Sequence, residues 1–399
     1  MKQNLKLNDK MKFFATVLLT IILLNGNCQD GFNDSIPIPG RWSIEKINNW
    51  YKEQPWLVGC NYYPATSINQ IEMWQESTWD PERIDLELGW ASNIGMNTLR
   101  VYLHDLVWAN DEQGLYNRMD EFLDICKKYK IRPWFVFFDD CHHPDPKLGE
   151  QPLPVKGYHN SGWVNCPSKD VSVRYASGKV SQAETQQLKG YIQKTLTYFK
   201  DDDRILAWEL YNEPGRSQRK ELSNKLVYDS WVWAREIAPS QPITSSTLGS
   251  IGARNIQINR INSDFHSIHC YRGGPSQLRK DILEYKKDDR PIIVSEWLAR
   301  TRDSKVETCL PIMKELNAGA VNWGFVSGKS GTIWPWSSKS YEDGTPKDLK
   351  ELREKGEVVE SGETFPEPEL WFHDLLRLDG TPYNDKEIET FKKLTGKTN

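Results

Sequence analysis

The stretch Ile205-Leu206-Ala207-Trp208-Glu209-Leu210-Tyr211-Asn212-Glu213-Pro214 opens as an apolar run and closes with carboxylates, an amide and a proline. A strand period of two puts Glu209, Tyr211 and Glu213 on one face, and Pro214, which cannot continue a central strand, stops it. Charge is thereby placed where a strand leaves the interior of a sheet. Asn212 falls on the opposite face, so aiming Asn212 and Glu213 together requires a bulge or the turn itself. Pro291-Ile292-Ile293-Val294-Ser295-Glu296-Trp297 repeats the design, with Ile292, Val294 and Glu296 on one face and Glu296 at its end. A glutamate buried at a strand end is costly unless it is used, and two such ends reinforce each other.

Outward from these two segments, short apolar runs recur at 56–61, 97–102, 131–138, 205–211, 242–246, 264–270, 291–295 and 320–325. Amphipathic stretches alternate with them: 81–94 with Asp80 as N-cap, 118–129, 182–199 with Ser181 as cap, 217–237, 254–261, 276–286, 304–317 and 385–394. Eight strands alternating with helices predict an α/β fold, a single (β/α)8 barrel. An open doubly wound sheet fits less well, because no glycine-rich dinucleotide turn follows the first strand. The 83 residues from Glu213 to Glu296 give about 28 per βα unit across three units, near the roughly 31 of an eight-unit barrel of about 250 residues. The connections 139–180, after strand three, and 326–379, after strand eight, are far longer than usual and leave strand C-termini, where barrels build their sites. Residues 41–51 are expected to form a helix closing the barrel bottom. Asp343-Gly344-Thr345-Pro346, recurring as Asp379-Gly380-Thr381-Pro382, reads as a turn running into a helix with Thr as cap and Pro at the first position.

Composition narrows the partners. Lys+Arg 51 against Asp+Glu 55, interspersed along 399 residues with a net charge of −4, gives no electrostatic footprint for nucleic acid. Lys2, Lys6, Lys10 and Lys12 precede an apolar run at 13–24, too short to cross a bilayer and typical of a secretory signal. Cys28, followed by Gln29-Asp30-Gly31, resembles the lipidated cysteine of a bacterial lipoprotein, with ordinary signal cleavage as the other reading. The expected organisation is a signal at 1–28, a polar leader at 29–40 and one catalytic domain at 41–399. The protein is then exported, to the periplasm, to the outer membrane through a lipid at Cys28, or out of the cell. Cys60, Cys126, Cys141, Cys166, Cys270 and Cys309 lack CxxC spacing, so a zinc site of the usual pattern is not expected. Cys141 and Cys166 bracket one loop and are candidates for a disulfide.

Asn212-Glu213-Pro214 and Ser295-Glu296-Trp297 resemble the acid/base and nucleophile motifs of the retaining clan A (β/α)8 glycoside hydrolases, most nearly the cellulase-like family 5. The resemblance spans about residues 55–330 and adds three further matches: Arg100 in Gly95-Met96-Asn97-Thr98-Leu99-Arg100, His269-Cys270-Tyr271, and Trp323. It implies cleavage of β-glycosidic bonds in a poly- or oligosaccharide, with Glu296 as nucleophile and Glu213 as acid and then base. No cofactor and no metal are implied. Arg100 and Tyr271 are expected to bind Glu296, Asn212 to meet the substrate 2-hydroxyl, and repulsion between the carboxylates to keep a proton on one of them. Where the family often carries Asp-x-His at strand three, this chain reads Asp139-Asp140-Cys141-His142-His143-Pro144. The motifs fix neither the sugar nor endo or exo action.

Two other readings compete. A metal-dependent barrel hydrolase would use Asp139, Asp140, His142, His266 and His269, but His266 and His269, three apart on a strand, point to opposite faces. A non-catalytic glycan-binding lipoprotein on the same barrel has no need of both carboxylates. Tryptophan, at 17 residues, outnumbers phenylalanine at 13. Trp42, Trp50, Trp56, Trp90, Trp134, Trp208, Trp231, Trp233 and Trp371 fall where core packing explains them. Trp74, Trp79, Trp108, Trp163, Trp297, Trp323, Trp334 and Trp336 sit at or after strand C-termini, with Trp323, Trp334 and Trp336 the first choices as sugar platforms.

Overall fold

The computed structural model describes residues 33–397. The signal at 1–28, Cys28 and the first residues of the leader lie outside this range. The sheet contains β1 (Val58–Asn61), β2 (Thr98–Tyr102), β3 (Arg132–Asp139), β4 (Ala207–Asn212), β5 (Ile243–Thr244), β6 (Ser246–Leu248), β7 (His266–His269), β8 (Ile292–Glu296) and β9 (Gly319–Trp323). Neighbours run β5-β4-β3-β2-β1-β9-β8-β7-β6, and every strand pair is parallel. β5 pairs with β4 and β6 with β7, so the two short segments are halves of one stave and the sheet is the expected (β/α)8 barrel. The split falls at Ser245, whose hydroxyl donates to the Tyr211 carbonyl at 2.9 Å where a ladder bond would otherwise run.

β3 is buried on both faces and reads as an almost continuous apolar run for that reason. Its alternation breaks at Phe137 and Phe138, both of which pack against Tyr191 on the helix side. β4 breaks in step. Tyr211 turns outward to Phe138 and donates to Asp140, while Glu209 and Asn212 face the interior and both bond Arg100. The expectation that Glu209, Tyr211 and Glu213 share one face is corrected accordingly.

The bottom of the barrel is sealed as expected. The helix Ile44–Lys52, capped by the Ser43 hydroxyl, buries Ile47 and Tyr51 among Leu57, Trp134, Leu206, Phe265, Ile293 and Val321, with Trp42 and Trp50 packed against them. Asp80 caps Pro81–Asn93, and Ser181 forms a reciprocal capping box with Glu184 at the start of Gln182–Tyr198. The helix expected from 217 begins at Asn224, because the turn before it is tied to Asp140 through the Gly215 amide and Ser223 hydroxyl. The Asp-Gly-Thr-Pro repeats are turns, but no helix starts at their Thr-Pro. Asp343 and Asp379 each accept from the amide two residues on at 2.9 Å, and each turn closes an antiparallel bridge, Ser340 with Pro346 and Leu376 with Pro382. The helices that follow are capped by Asp348 and Asn384.

The long connections after β3 and β9 are joined to each other. Val155 bridges Val358, the Lys156 amide donates to Glu357 at 3.0 Å, the Val359 amide to Pro154 at 2.8 Å, and the His159 amide to the Ser338 hydroxyl at 2.9 Å. Together they stand as a wall over one side of the barrel mouth.

Candidate active site

Arg100, fully buried on β2, organises the mouth. Its Nε and Nη2 donate to the two oxygens of Glu209, each at 2.8 Å, and Nη2 also reaches Asn212 Oδ1 at 2.7 Å. Nη1 donates to Glu296 Oε1 at 2.7 Å, to Asn61 Oδ1 at 2.8 Å and to the Tyr102 hydroxyl at 2.5 Å. Glu296 further accepts from Tyr102 at 3.1 Å and from Tyr271 at 2.9 Å. One guanidinium therefore serves two buried carboxylates, and both expected bonds to Glu296, from Arg100 and Tyr271, are present.

Glu213 is reached by a turn. Its φ of 40° lies in the left-handed region, a strained setting for a side chain with a Cβ, and its amide donates to the Ser246 hydroxyl at 2.7 Å. The carboxylate meets His269 Nδ1 at 2.8 Å, Arg216 Nε at 2.9 Å and the Cys141 thiol at 3.2 Å. Burial pushes its pKa up, but the bond and charge of His269, together with Arg216, outweigh burial and hold the carboxyl at about 2. The expected repulsion between the carboxylates is not what governs Glu213, which answers to His269 and Arg216; His269 Nδ1 also lies 3.3 Å from Glu296 Oε2. Oxygens of Glu213 and Glu296 and a ring nitrogen of His269 all lie within 4.8 Å of one another.

Asp139, at the end of β3, accepts from Asn212 Nδ2 at 2.9 Å, Trp163 Nε1 at 2.8 Å and the Cys141 amide at 2.8 Å. Burial nevertheless raises its pKa from 3.8 to about 7. The folded chain then holds this proton more tightly than the unfolded chain, so the contribution is complete below the ordinary aspartate value and is lost as pH rises toward the raised one. Relative to Asp139→Asn, which removes the titration, the wild-type urea midpoint is expected to fall between pH 3.8 and about 7. A constant difference over that range contradicts the assignment.

A cleft of about 640 Å³ collects Cys141, His142, His159, Asn212, Glu213, Arg216, His269, Tyr271, Glu296, Trp323, Trp336 and His373. Trp323 is flanked by Trp163 and Tyr102, with ring centroids at 5.5 and 5.9 Å, and Trp336 stands edge-on to Tyr271 at 5.2 Å. Trp334 is not brought into the cleft; it lines a small adjoining hollow, and its carbonyl accepts from His159. The other tryptophans expected at the mouth pack instead. Trp74 stacks on Trp79, Trp108 lies against Tyr191, Trp163 backs Trp323, and Trp297 is buried near Phe391.

Cys141 and Cys166 do not pair; Cys141 touches Glu213, whereas Cys166 donates to Asp105. The proposed metal set is not assembled. His266 faces Asp288 at 3.0 Å behind the strand, and Asp140 is taken up by Arg219, Ser223, Tyr211 and the Gly215 amide. Sequence reasoning missed Glu209 and Tyr102 as partners of Arg100. Tyr102 follows Arg100 by two residues and so shares its face, a signal that was available.

An endo-β-1,4-mannanase from Thermotoga petrophila superposes with a TM-score of 0.53 at 13% identity over 87% of this chain and 77% of that one. A family 5 mannosidase from Rhizomucor miehei gives 0.52 at 13%, over 86% and 94%. An exo-β-1,4-mannosidase from an Opitutaceae bacterium gives 0.55 at 16%, over 85% of this chain and 59% of that one. The chain shares the (β/α)8 barrel fold of these mannanases and mannosidases. No protein-family model matches the sequence, and no curated protein does. On that fold, the barrel ends carrying Arg100, Asn212-Glu213, His269, Tyr271, Glu296 and Trp323 converge on one cleft.

Proposed function

We propose that the protein is a retaining glycoside hydrolase acting on β-linked oligo- or polysaccharides. The observation that carries this reading is the pair of glutamates at the ends of β4 and β8, with oxygens within 4.8 Å. Retaining enzymes separate their carboxyl groups by about 5–5.5 Å, inverting ones by about 6.5–9.5 Å. Glu296, its charge stabilised by Arg100 and oriented by Tyr271, attacks the anomeric carbon as the bond to the leaving oxygen breaks. The leaving oxygen takes a proton from Glu213. Glu213, a carboxylate at rest, receives that proton from His269 Nδ1 across their 2.8 Å contact and is a carboxylate again once it has passed it on. In the second step Glu213 takes a proton from water, whose oxygen displaces Glu296. Asn212, fixed by Arg100 and Asp139, contacts the 2-hydroxyl.

β-Mannosides are the first substrates to try, because the structures sharing this fold are described as mannanases and mannosidases. Export through the segment 1–28 fits a carbohydrate met outside the cytoplasm. The test is incubation with dinitrophenyl 2-deoxy-2-fluoro glycosides of the manno, gluco, xylo and galacto series. One of them is expected to add a single glycosyl unit to Glu296, located by peptide mass mapping. Labelling by none overturns the reading and favours a glycan-binding protein.

A further inference from the structure

Three imidazoles line the wall of the cleft, and the mechanism uses none of them. His142, which has a left-handed φ of 67°, comes from the loop after β3, His159 from the same excursion, and His373 from the excursion after β9. Their ring centroids form a continuous row: His142 to His159 at 6.3 Å, His159 to His373 at 5.4 Å, and His373 to Tyr271 at 5.5 Å. The row thus ends beside the residue that donates to Glu296.

Each ring has a fixed tautomer. The Lys339 ammonium, which can only donate, meets His142 Nδ1 at 3.0 Å, so the His142 proton sits on Nε2. His159 Nδ1 faces the Trp334 carbonyl at 2.6 Å and His373 Nδ1 faces the Leu298 carbonyl, so both donate there and leave Nε2 bare. Burial, then the charge of Lys339, lowers the pKa of His142 and His159 well below the ordinary histidine value, and burial holds His373 at about 3. All three rings are neutral, and they offer the cleft one donor and two acceptors.

The three rings stand on the two excursions that are bonded to each other. A separate hollow of about 570 Å³, lined by Leu153, Pro154, Val359 and Phe365, shares no lining residue with the cleft. Around Glu213 the cleft is lined by Arg216, Leu248, Gly249 and Arg272.

Resting on the proposed glycosidase reading, we propose that the wall is a blind glycone pocket for one terminal, uncharged sugar. Hydroxyls of that sugar donate to Nε2 of His159 and of His373, and another accepts from Nε2 of His142. Two bare nitrogens meet hydroxyls well and a carboxylate badly, since lone pairs would then face lone pairs. Action is accordingly from the chain end.

The experiment uses the full chain with 4-nitrophenyl β-mannoside, its single-deoxy analogues, the corresponding mannuronide, and a β-mannohexaose. Monosaccharide is expected as the first product from the hexaose. The neutral parent is expected to exceed the uronide, and at least one deoxy analogue, by about tenfold or more in kcat/KM. In His159→Phe, which keeps a ring of similar shape, the parent should lose that advantage while the affected deoxy analogue keeps its rate. A merely structural role would lower both alike. Internal cleavage of the hexaose, equal rates on the uronide, or indifference to every deoxy position overturns the pocket. If nothing is turned over, calorimetric titration of wild type with mannose, deoxymannoses and mannuronate reads the pocket alone. Preference for neutral mannose with no labelling of Glu296 sinks the glycosidase reading and keeps the pocket; equal or no binding sinks the pocket too.

Discussion

Glu213→Ala is expected to divide substrates by their leaving group. With a sugar as leaving group, the departing alkoxide needs a proton, and loss of a positioned general acid should slow turnover about 10²–10⁴-fold. With dinitrophenyl as leaving group no proton is needed, so the first step should run near the wild-type rate and the glycosyl ester at Glu296 should accumulate, because the base for the second step is also gone. Added azide, which attacks without a base, should then restore turnover and yield a glycosyl azide of retained configuration. The changes can be confined to this side chain because the turn at 213 is held through its backbone, by the Ser246 hydroxyl on the Glu213 amide. An equal fall on both substrates, with no effect of azide, would remove Glu213 from the acid/base role.

Arg100→Met should be the most damaging change to the fold. The guanidinium is the shared partner of Glu209 and Glu296, both buried, and its loss leaves two carboxylates without their cation. Breaking a buried pair by removing one member costs about 3–5 kcal/mol, much of it the penalty of the stranded charge. The unfolding free energy of Arg100→Met, read from urea titration, should drop by that amount, and Glu209→Gln in the same chain should recover a substantial part. Arg100→Lys should lie between, since an ammonium cannot reproduce the fork that holds both Glu209 oxygens. A fall of under about 1 kcal/mol would show that these carboxylates are stabilised by something other than Arg100.

The staves were legible because each is a short apolar run between turn residues, and the two glutamates because a carboxylate at the end of such a run has few structural uses. The barrel-bottom helix was legible from Trp42, Ile47, Trp50 and Tyr51, which needed a core to cover. Period-two reasoning failed where β3 and β4 shift together. Phe137 and Phe138 both face the helices, Tyr211 follows them, and only the pairing of two strands reveals such a shift. The fifth stave was read as one strand because Ser245 interrupts it through its hydroxyl, which leaves no mark on the hydrophobic pattern. His159 and His373 stood in long excursions whose course is set by backbone bonds between segments about two hundred residues apart, such as Val155 to Val358. Sequence spacing carries no trace of those bonds. Of the eight tryptophans expected at the mouth, Trp323 and Trp336 line the cleft. The excess of indole is mostly architecture.

The bridge between Val155 and Val358 also bears on how the protein can be altered. Each excursion satisfies the other's backbone, through Lys156 with Glu357, Val359 with Pro154, and Arg353 with the carbonyls of Leu153 and Ser161. A graft or deletion confined to one of them strands amides and carbonyls on the other. The barrel beneath is tied to both as well, through the Trp163 indole and the Cys166 backbone on Asp139 and through the His373 ring on the Leu298 carbonyl. The two excursions therefore form one unit, and a change in what the cleft admits is best engineered by exchanging them together.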